Sequence, residues 1–275
     1  GACVSGLDLR EPLTQTKAET IRDALHAHGL LVFPGQSLGE AEQVAFSRHF
    51  GILDLHVTSD WNSKEHPEIY VISNIQIDGK NYGVPHGGFE WHSDFCYYEV
   101  PAMATTLYGV EVPSEGGETL FAHMADAYDA LSDALKERIA DLRGVFDYNA
   151  YRLRTPGRTP LDAATRALTT NAHPIVRRHP VTFRKALYVS TYVTHFEGMG
   201  VEESLALRDE LMAHATAERF VYAHRWQAGD LVMWDNATVM HRASPYDQRY
   251  RRLMKRTVGR PFPEVLERFA AQGGA

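Results

Sequence analysis

Cysteine is scarce in this chain: 275 residues carry two, Cys3 and Cys96. Neither belongs to a Cys-x-x-Cys pair, so neither a zinc ribbon nor a disulfide framework is indicated. Two reduced thiols point to the cytoplasm. Basic charge is in deficit. Lys and Arg number 28 against 35 Asp and Glu, for a net charge of −7, and such a surface is no general match for nucleic-acid phosphates. A small anionic substrate stays open, because one site can be basic on an acidic protein. No apolar run approaches the roughly 18 residues of a membrane-spanning helix, and the start carries no signal-peptide pattern. Opening at Gly1-Ala2-Cys3-Val4, the chain reads as entered in mid-strand, so a few native residues are expected before it. Internal repeats and low-complexity tracts are missing as well.

What is present describes an ordinary globular protein, with 44% apolar and 23% charged residues. A β-barrel or sandwich can use this length as one domain, here 1–275. Thr16-x-x-Glu19 predicts a capping box for a helix over 17–28, stopped by Gly29. Leu30-Leu31-Val32-Phe33 follows as a buried strand. Ser37-x-x-Glu40 predicts a second capped helix ending near Phe50-Gly51. Further strands are expected over 69–75, 105–112, 118–121, 175–177, 186–190, 220–226, 231–234 and 252–258, and Asp78-Gly79 reads as a hairpin turn. Helices are expected over 125–131, 132–142 and 202–215. The Gly-rich stretch 81–88 is read equally well as a lid or a surface loop, and 148–171 is a polar excursion whose role the pattern leaves open. The fold class is α+β, mainly β: a double-sheet jelly roll with helices around it.

The stretch Glu90-Trp91-His92-Ser93-Asp94-Phe95 organises the chain. On a strand, His92 and Asp94 share a face and reach one point. A third ligand, His241, follows a buried-looking strand and the Asp235-Asn236 turn. Two histidines and one carboxylate on one face of an octahedron form the non-haem Fe(II) arrangement. A hydrogen-bonded His–Asp pair is the plainer alternative. His56 and His86, in loops, are the next candidates among the histidines. Arg252 and Arg256 share a strand face with Met254. A guanidinium buried inside a barrel demands an anion, whereas an exposed basic edge, with Arg249, Arg251 and Lys255, would not. Phe89, Trp91, Phe95, Tyr97 and Tyr98 are read as core more readily than pocket.

Together these residues resemble the Fe(II)/2-oxoglutarate-dependent dioxygenases of the taurine dioxygenase / 2,4-dichlorophenoxyacetate dioxygenase group. The resemblance runs along nearly the whole chain. It rests on Leu31-Val32-Phe33-Pro34-Gly35-Gln36, Phe46-Ser47-Arg48-His49-Phe50-Gly51, Trp91-His92-Ser93-Asp94, Gly116-Gly117-Glu118-Thr119, Gly229-Asp230-Leu231-Val232-Met233-Trp234-Asp235-Asn236 and His241-Arg242-Ala243. It implies a double-stranded β-helix core, with iron on His92, Asp94 and His241. The remote carboxylate of 2-oxoglutarate would lie on Arg252, assisted by Thr119. Arg256 would take the acidic group of the primary substrate, with His56 beside it. Gly88 stands where both named relatives look to have asparagine, and Ser59 where the taurine enzyme has a tyrosine. Both argue against taurine itself. Ile72-Ser73-Asn74-Ile75 and Tyr222-x-His224-Arg225-Trp226 look closer to the phenoxyacetate branch.

The implied activity is hydroxylation of a small organic acid, aryloxyalkanoate-like carboxylates first, with Fe(II), 2-oxoglutarate and O2 consumed to succinate and CO2. Alkylsulfonate or sulfate-ester oxidation is the alternative within the family. A halogenase of the same fold would need a halide where Asp94 stands. A zinc hydrolase on the same ligands would leave Arg252 and Thr119 without a task. A non-catalytic metal- or ligand-binding jelly roll is the alternative outside enzymes. The expected partners are a small anionic substrate and further copies of the chain, as a dimer or tetramer, with no nucleic acid and no membrane.

Overall fold

The computed structural model describes residues 1–57, 59–85, 87–155 and 157–271, with Ser59 described in its backbone alone. His86 and the side chain of Ser59 lie outside the described residues.

Two β-sheets face each other. The larger runs in the order Ala2–Cys3, Leu30–Phe33, Leu231–Asp235, Ala104–Glu111, Leu253–Arg260, Ile52–Asp54, with Tyr70–Ser73 also paired to Leu253–Arg260. The smaller runs Val221–His224, Thr119–His123, Val239–Ala243. Alternation along Leu231–Asp235 shows how the chain divides its side chains. Val232 and Trp234 point between the sheets, against Phe121, Val239, Leu107 and Met254. Leu231 and Met233 point to the other face, against Phe33, Leu25 and Phe46. Every residue of this strand is buried, because both faces of the sheet are covered. This is the expected jelly roll with helices outside.

The helix Gln15–His28 covers the outer face of the larger sheet through Ala18, Ile21 and Leu25. It starts earlier than the sequence predicts. Thr14, not Thr16, is the cap, and its hydroxyl accepts from Lys17 N at 3.3 Å. Gly29 ends the helix at φ 69°, its N–H donating to Leu25 O. The second helix, Glu40–Ser47, has Gly39 at its N-cap and no side-chain cap. The Ser37 capping box does not form: Glu40 is instead held by Lys255 at 3.0 Å and by the Ser63 hydroxyl. The chain leaves the helix three residues early, and Gly51 then packs on the closing strand, where a Cβ would meet Arg260 O at 2.6 Å.

The excursion 148–171 is not featureless. It folds into the helices Tyr148–Arg152 and Ala163–Leu168, capped by Asp147 and Asp162, and leads into the strand Thr170–Pro174. A second apolar cluster forms behind the smaller sheet. There Phe146, Phe196, Leu207 and Leu211 pack on Ala122 and Met240. Phe95 and Tyr97 belong to this core, with Trp91 and Tyr98 against its edge.

Candidate active site

His241 sits in the middle of the strand Val239–Ala243, its ring lodged against Trp234 and Phe121 at centroid distances of 4.6 and 6.1 Å. His92 is not on a regular strand, contrary to the sequence expectation. It forms a single antiparallel bridge to His241: His92 N donates to His241 O at 2.9 Å and His241 N to His92 O at 2.8 Å. Two residues on, the chain turns, with Phe95 at φ 52°. Asp94 is aimed by its own backbone N–H, which donates to Asn236 Oδ1 at 2.9 Å. Convergence of His92 and Asp94 therefore comes from one bridge and one turn, and strand alternation is not needed.

The ligand atoms of His92, Asp94 and His241 lie within 4.8 Å of one another, and all three residues are buried. His241 Nε2 is 3.8 Å from Asp94 Oδ2. The tautomer of His92 is fixed. Its Nδ1 lies 2.8 Å from Glu90 O, a carbonyl that can only accept, so Nδ1 carries the proton and Nε2 offers a lone pair. Burial depresses both imidazoles, that of His241 to about 3 with repulsion from His92 added. Burial would raise the Asp94 carboxyl, but Arg256, His241 and His92 outweigh it and bring it to about 2. Two neutral imidazoles and one carboxylate at neutral pH are the protonation states a divalent metal requires.

Asp94 is also held from behind. Thr105 Oγ1 donates to Asp94 Oδ2 at 2.8 Å, while Asn236 Nδ2 donates to Thr105 Oγ1 at 2.8 Å. Arg256 donates from Nη1 to Asp94 Oδ1 at 2.7 Å and lies over the Tyr70 ring at 5.1 Å. Arg252 is different. It is 6% exposed, no carboxylate pairs with it among the described residues, and its Nε lacks a hydrogen-bond partner. Burial alone lowers its pKa, with only Tyr246 opposing. Its backbone is clamped, N to Asn74 Oδ1 at 2.9 Å and O from Ser73 Oγ at 2.9 Å. A fixed, buried, unpaired guanidinium is a site for an anion.

Arg252, Arg256, Thr119, His92 and His241 line one cavity of about 210 Å³. His56 lines it too, stacked on Tyr70 at 4.4 Å. The structure thus brings His92, Asp94, His241, Thr119, Arg252, Arg256 and His56 to one place. The pattern missed the aromatic wall of Tyr148, Tyr151 and Tyr192, and the rim of Arg152, Thr155 and Arg158. The signal was the i, i+3 spacing of Tyr148 and Tyr151, which reads as helix without saying what the helix faces. Val84, Gly87 and Gly88 bring the Gly-rich stretch to the same cavity. Gly88 adopts φ 73°, and a Cβ on it would point at His92 Cε1, 3.5 Å away. Glycine and asparagine tolerate that conformation best, so an asparagine could replace it and would reach toward the metal ligands.

A second group, the half-buried His26 with the buried His179 and Asp235, has similar spacing. Its tautomer argues against a metal. His179 Nδ1 accepts from the N–H groups of Val181 and Thr182 at 3.1 and 2.9 Å, so Nε2 must carry the proton it donates to Asp235 at 2.7 Å. No lone pair of His179 is left to ligate.

The family model described as taurine catabolism dioxygenase TauD, TfdA family, matches residues 1–258. An α-ketoglutarate-dependent 2,4-dichlorophenoxyacetate dioxygenase of Cupriavidus pinatubonensis is 38% identical over 267 residues, 93% of this chain and 92% of that relative. An (S)-phenoxypropionate/α-ketoglutarate dioxygenase of Delftia acidovorans is 32% identical, over 94% of this chain and 95% of the relative. The crystal structure of AAD-2 with Mn(II) and N-oxalylglycine matches with a TM-score of 0.80 at 34% identity, covering 94% of this chain and 93% of the other. With the ligand set, the cavity and the fold in agreement, the chain belongs to the TauD, TfdA dioxygenase family.

Proposed function

We propose that the protein is an Fe(II)- and 2-oxoglutarate-dependent dioxygenase that hydroxylates a small organic acid, an aryloxyalkanoate-like carboxylate, with succinate and CO2 as co-products. The observation that carries the reading is Arg252, a buried guanidinium with no anion of its own among the described residues, in the same cavity as His92 and His241 of the His92, Asp94 and His241 cluster. The names of the Cupriavidus pinatubonensis and Delftia acidovorans relatives, both α-ketoglutarate dioxygenases, support it, as does a divalent metal with a dicarboxylic acid in AAD-2.

His92 Nε2, Asp94 and His241 would hold Fe(II). When bound, the metal supplies the oxidising chemistry with O2 and 2-oxoglutarate. The rest is the work of the chain. Arg252 and Thr119 bind the remote carboxylate of 2-oxoglutarate and set its orientation. Arg256 draws the acid group of the substrate toward the metal ligands. Tyr70, Tyr148, Tyr151, Tyr192 and His56 supply an aromatic lining for an aryl group, with Arg152 and Arg158 lining the same cavity. An aromatic wall beside a guanidinium suits an acid carrying a ring better than a small alkylsulfonate.

The match over residues 1–258 supports one catalytic domain over 1–275. Cys3 and Cys96, both unpaired, support a reducing, cytoplasmic setting. No helix among the described residues is long and apolar enough to cross a membrane. The test is succinate release with product analysis across aryloxyacetates, aryloxypropionates, alkylsulfonates and sulfate esters. Turnover should be fastest for the aryloxy acids. Turnover restricted to sulfonates would overturn the substrate assignment, and no succinate with any acid would overturn the activity.

A further inference from the structure

The motif Tyr222-x-His224-Arg225-Trp226 leads away from the ligands and yet ends at the co-substrate site. The strand Val221–His224 pairs with Thr119–His123 so that His224 lies opposite Thr119. Trp226, two residues further on, is buried and donates from Nε1 to Thr119 Oγ1 at 3.0 Å. An indole N–H can only donate. The Thr119 oxygen must therefore accept, and its own proton cannot point at Trp226. Among the described residues that hydroxyl donates to no protein group. Thr119 faces the cavity it shares with the unpaired Arg252.

The indole is itself held in place. Its ring meets His224 edge-on at 4.6 Å and 90°. His224 Nε2 is 3.1 Å from Asp230 Oδ2, which also accepts from Gln227 N at 2.9 Å. His224 and Asp230 are both buried. A buried chain of this kind keeps Trp226 from turning away when the cavity fills.

We propose that Trp226 is a positioning residue for 2-oxoglutarate: its N–H, donated to Thr119, turns the Thr119 hydroxyl proton toward the carboxylate held by Arg252. This rests on the co-substrate assignment above. Without the indole N–H, the threonine hydroxyl is free to rotate, and a hydrogen bond that was oriented in advance has to be ordered on binding.

The test is a double-mutant cycle on Trp226→Phe and Thr119→Val. The readout is the dissociation constant of 2-oxoglutarate, measured anaerobically on the Fe(II)-loaded protein, beside the steady-state constants. Trp226→Phe should raise the 2-oxoglutarate dissociation constant and KM about three- to tenfold, the effect of one neutral hydrogen bond. The metal affinity and the KM of the primary substrate should stay within about twofold. Adding Trp226→Phe to Thr119→Val should weaken binding no further, because the hydroxyl that the indole orients is already gone. If Trp226→Phe folds poorly, Trp226 replaced by 3-benzothienylalanine keeps the ring shape without the N–H and should give the same pattern. Unchanged 2-oxoglutarate binding in either variant, or penalties that multiply in the double variant, would overturn the proposal. Failure of the wild-type protein to bind 2-oxoglutarate would instead overturn the activity assignment on which it rests.

Discussion

Arg256 and Asp94 form a largely buried ion pair, Nη1 to Oδ1 at 2.7 Å, with the two side chains 11% and 2% exposed. Asp94 is at once a candidate metal ligand and the counter-ion of the arginine assigned to the substrate. In the proposed reading, the same carboxylate would link the metal to the substrate anion. The sequence predicts an anion clamp at Arg256, and in the structure one nitrogen of that guanidinium is already engaged by Asp94. In the proposed reading, an acid approaching Arg256 would share the guanidinium with Asp94 and be drawn close to the metal ligands.

Arg256→Met should therefore have two effects. It weakens the acidic substrate, and it leaves Asp94 buried without its cation. Breaking a buried pair by removing one partner costs about 3–5 kcal/mol, so the metal-free variant should melt well below wild type. A divalent metal replaces the lost cation, so Mn(II) should recover much of the difference. Thermal unfolding with and without Mn(II) checks this, and an equal loss in both conditions would count against the pairing.

Arg252 predicts the opposite sign for stability. Its charge is buried and unpaired, so Arg252→Met should leave the metal-free protein at least as stable as wild type. The same change should raise the 2-oxoglutarate KM about tenfold or more, since a charge-assisted hydrogen bond is lost. Thr119→Val should show a smaller rise. A marked fall in melting temperature with unchanged KM would make Arg252 a structural residue.

The ring wall is tested by Tyr151→Ala. Tyr151 meets Tyr192 in a tilted pair with centroids 4.2 Å apart, and lines the cavity. An aromatic pair is worth about 0.5–1.5 kcal/mol, so KM for an aryloxy acid should rise roughly two- to tenfold. KM for an aliphatic acid of similar length should hardly move. Equal losses for both would remove the ring from the specificity argument.

The ligand histidines predict a pH dependence. Burial lowers His92, and burial with repulsion from His92 brings His241 to about 3. An unfolded imidazole titrates near 6.5 (an approximate reference value), so the unfolded chain takes up protons first as pH falls. This contribution to stability is whole above about 6.5 and is lost as pH falls toward the folded values. His241, at about 3, is neutral at about pH 6, and His92 is lowered in the same direction, so Mn(II) affinity should fall less between about pH 7.5 and about pH 6 than at a site of two ordinary imidazoles. A steep loss of affinity between those values would show histidines titrating at their ordinary pKa.

Much of the site was legible in the sequence because its chemistry is local. His92 and Asp94 are two residues apart, and Arg252 and Arg256 do line one cavity as alternation suggests, although Arg252 lies just before the strand Leu253–Arg260 and the register shifts between Leu253 and Met254. What escaped was set by distant partners. His92 is placed by a backbone bridge to His241, and Arg256 by Asp94. Tyr148 and Tyr151 sit on a five-residue helix whose direction only packing decides. Helix starts failed for a related reason: Thr14 and Thr16 are both chemically able to cap, and only Thr14 takes the extended backbone that a cap requires. For Ser37, the Glu40 meant to complete its box is drawn to Lys255 and Ser63 instead.

The most direct measurement is anaerobic addition of Fe(II) and then 2-oxoglutarate to wild-type protein and to Asp94→Ala, followed by visible absorption. Wild type should develop a weak charge-transfer band that needs both additions, and Asp94→Ala should develop none while keeping its far-UV circular dichroism. A wild-type protein that shows no band with both present, or an Asp94→Ala variant that shows the same band, would contradict the assignment of His92, Asp94 and His241 as an iron site open to 2-oxoglutarate.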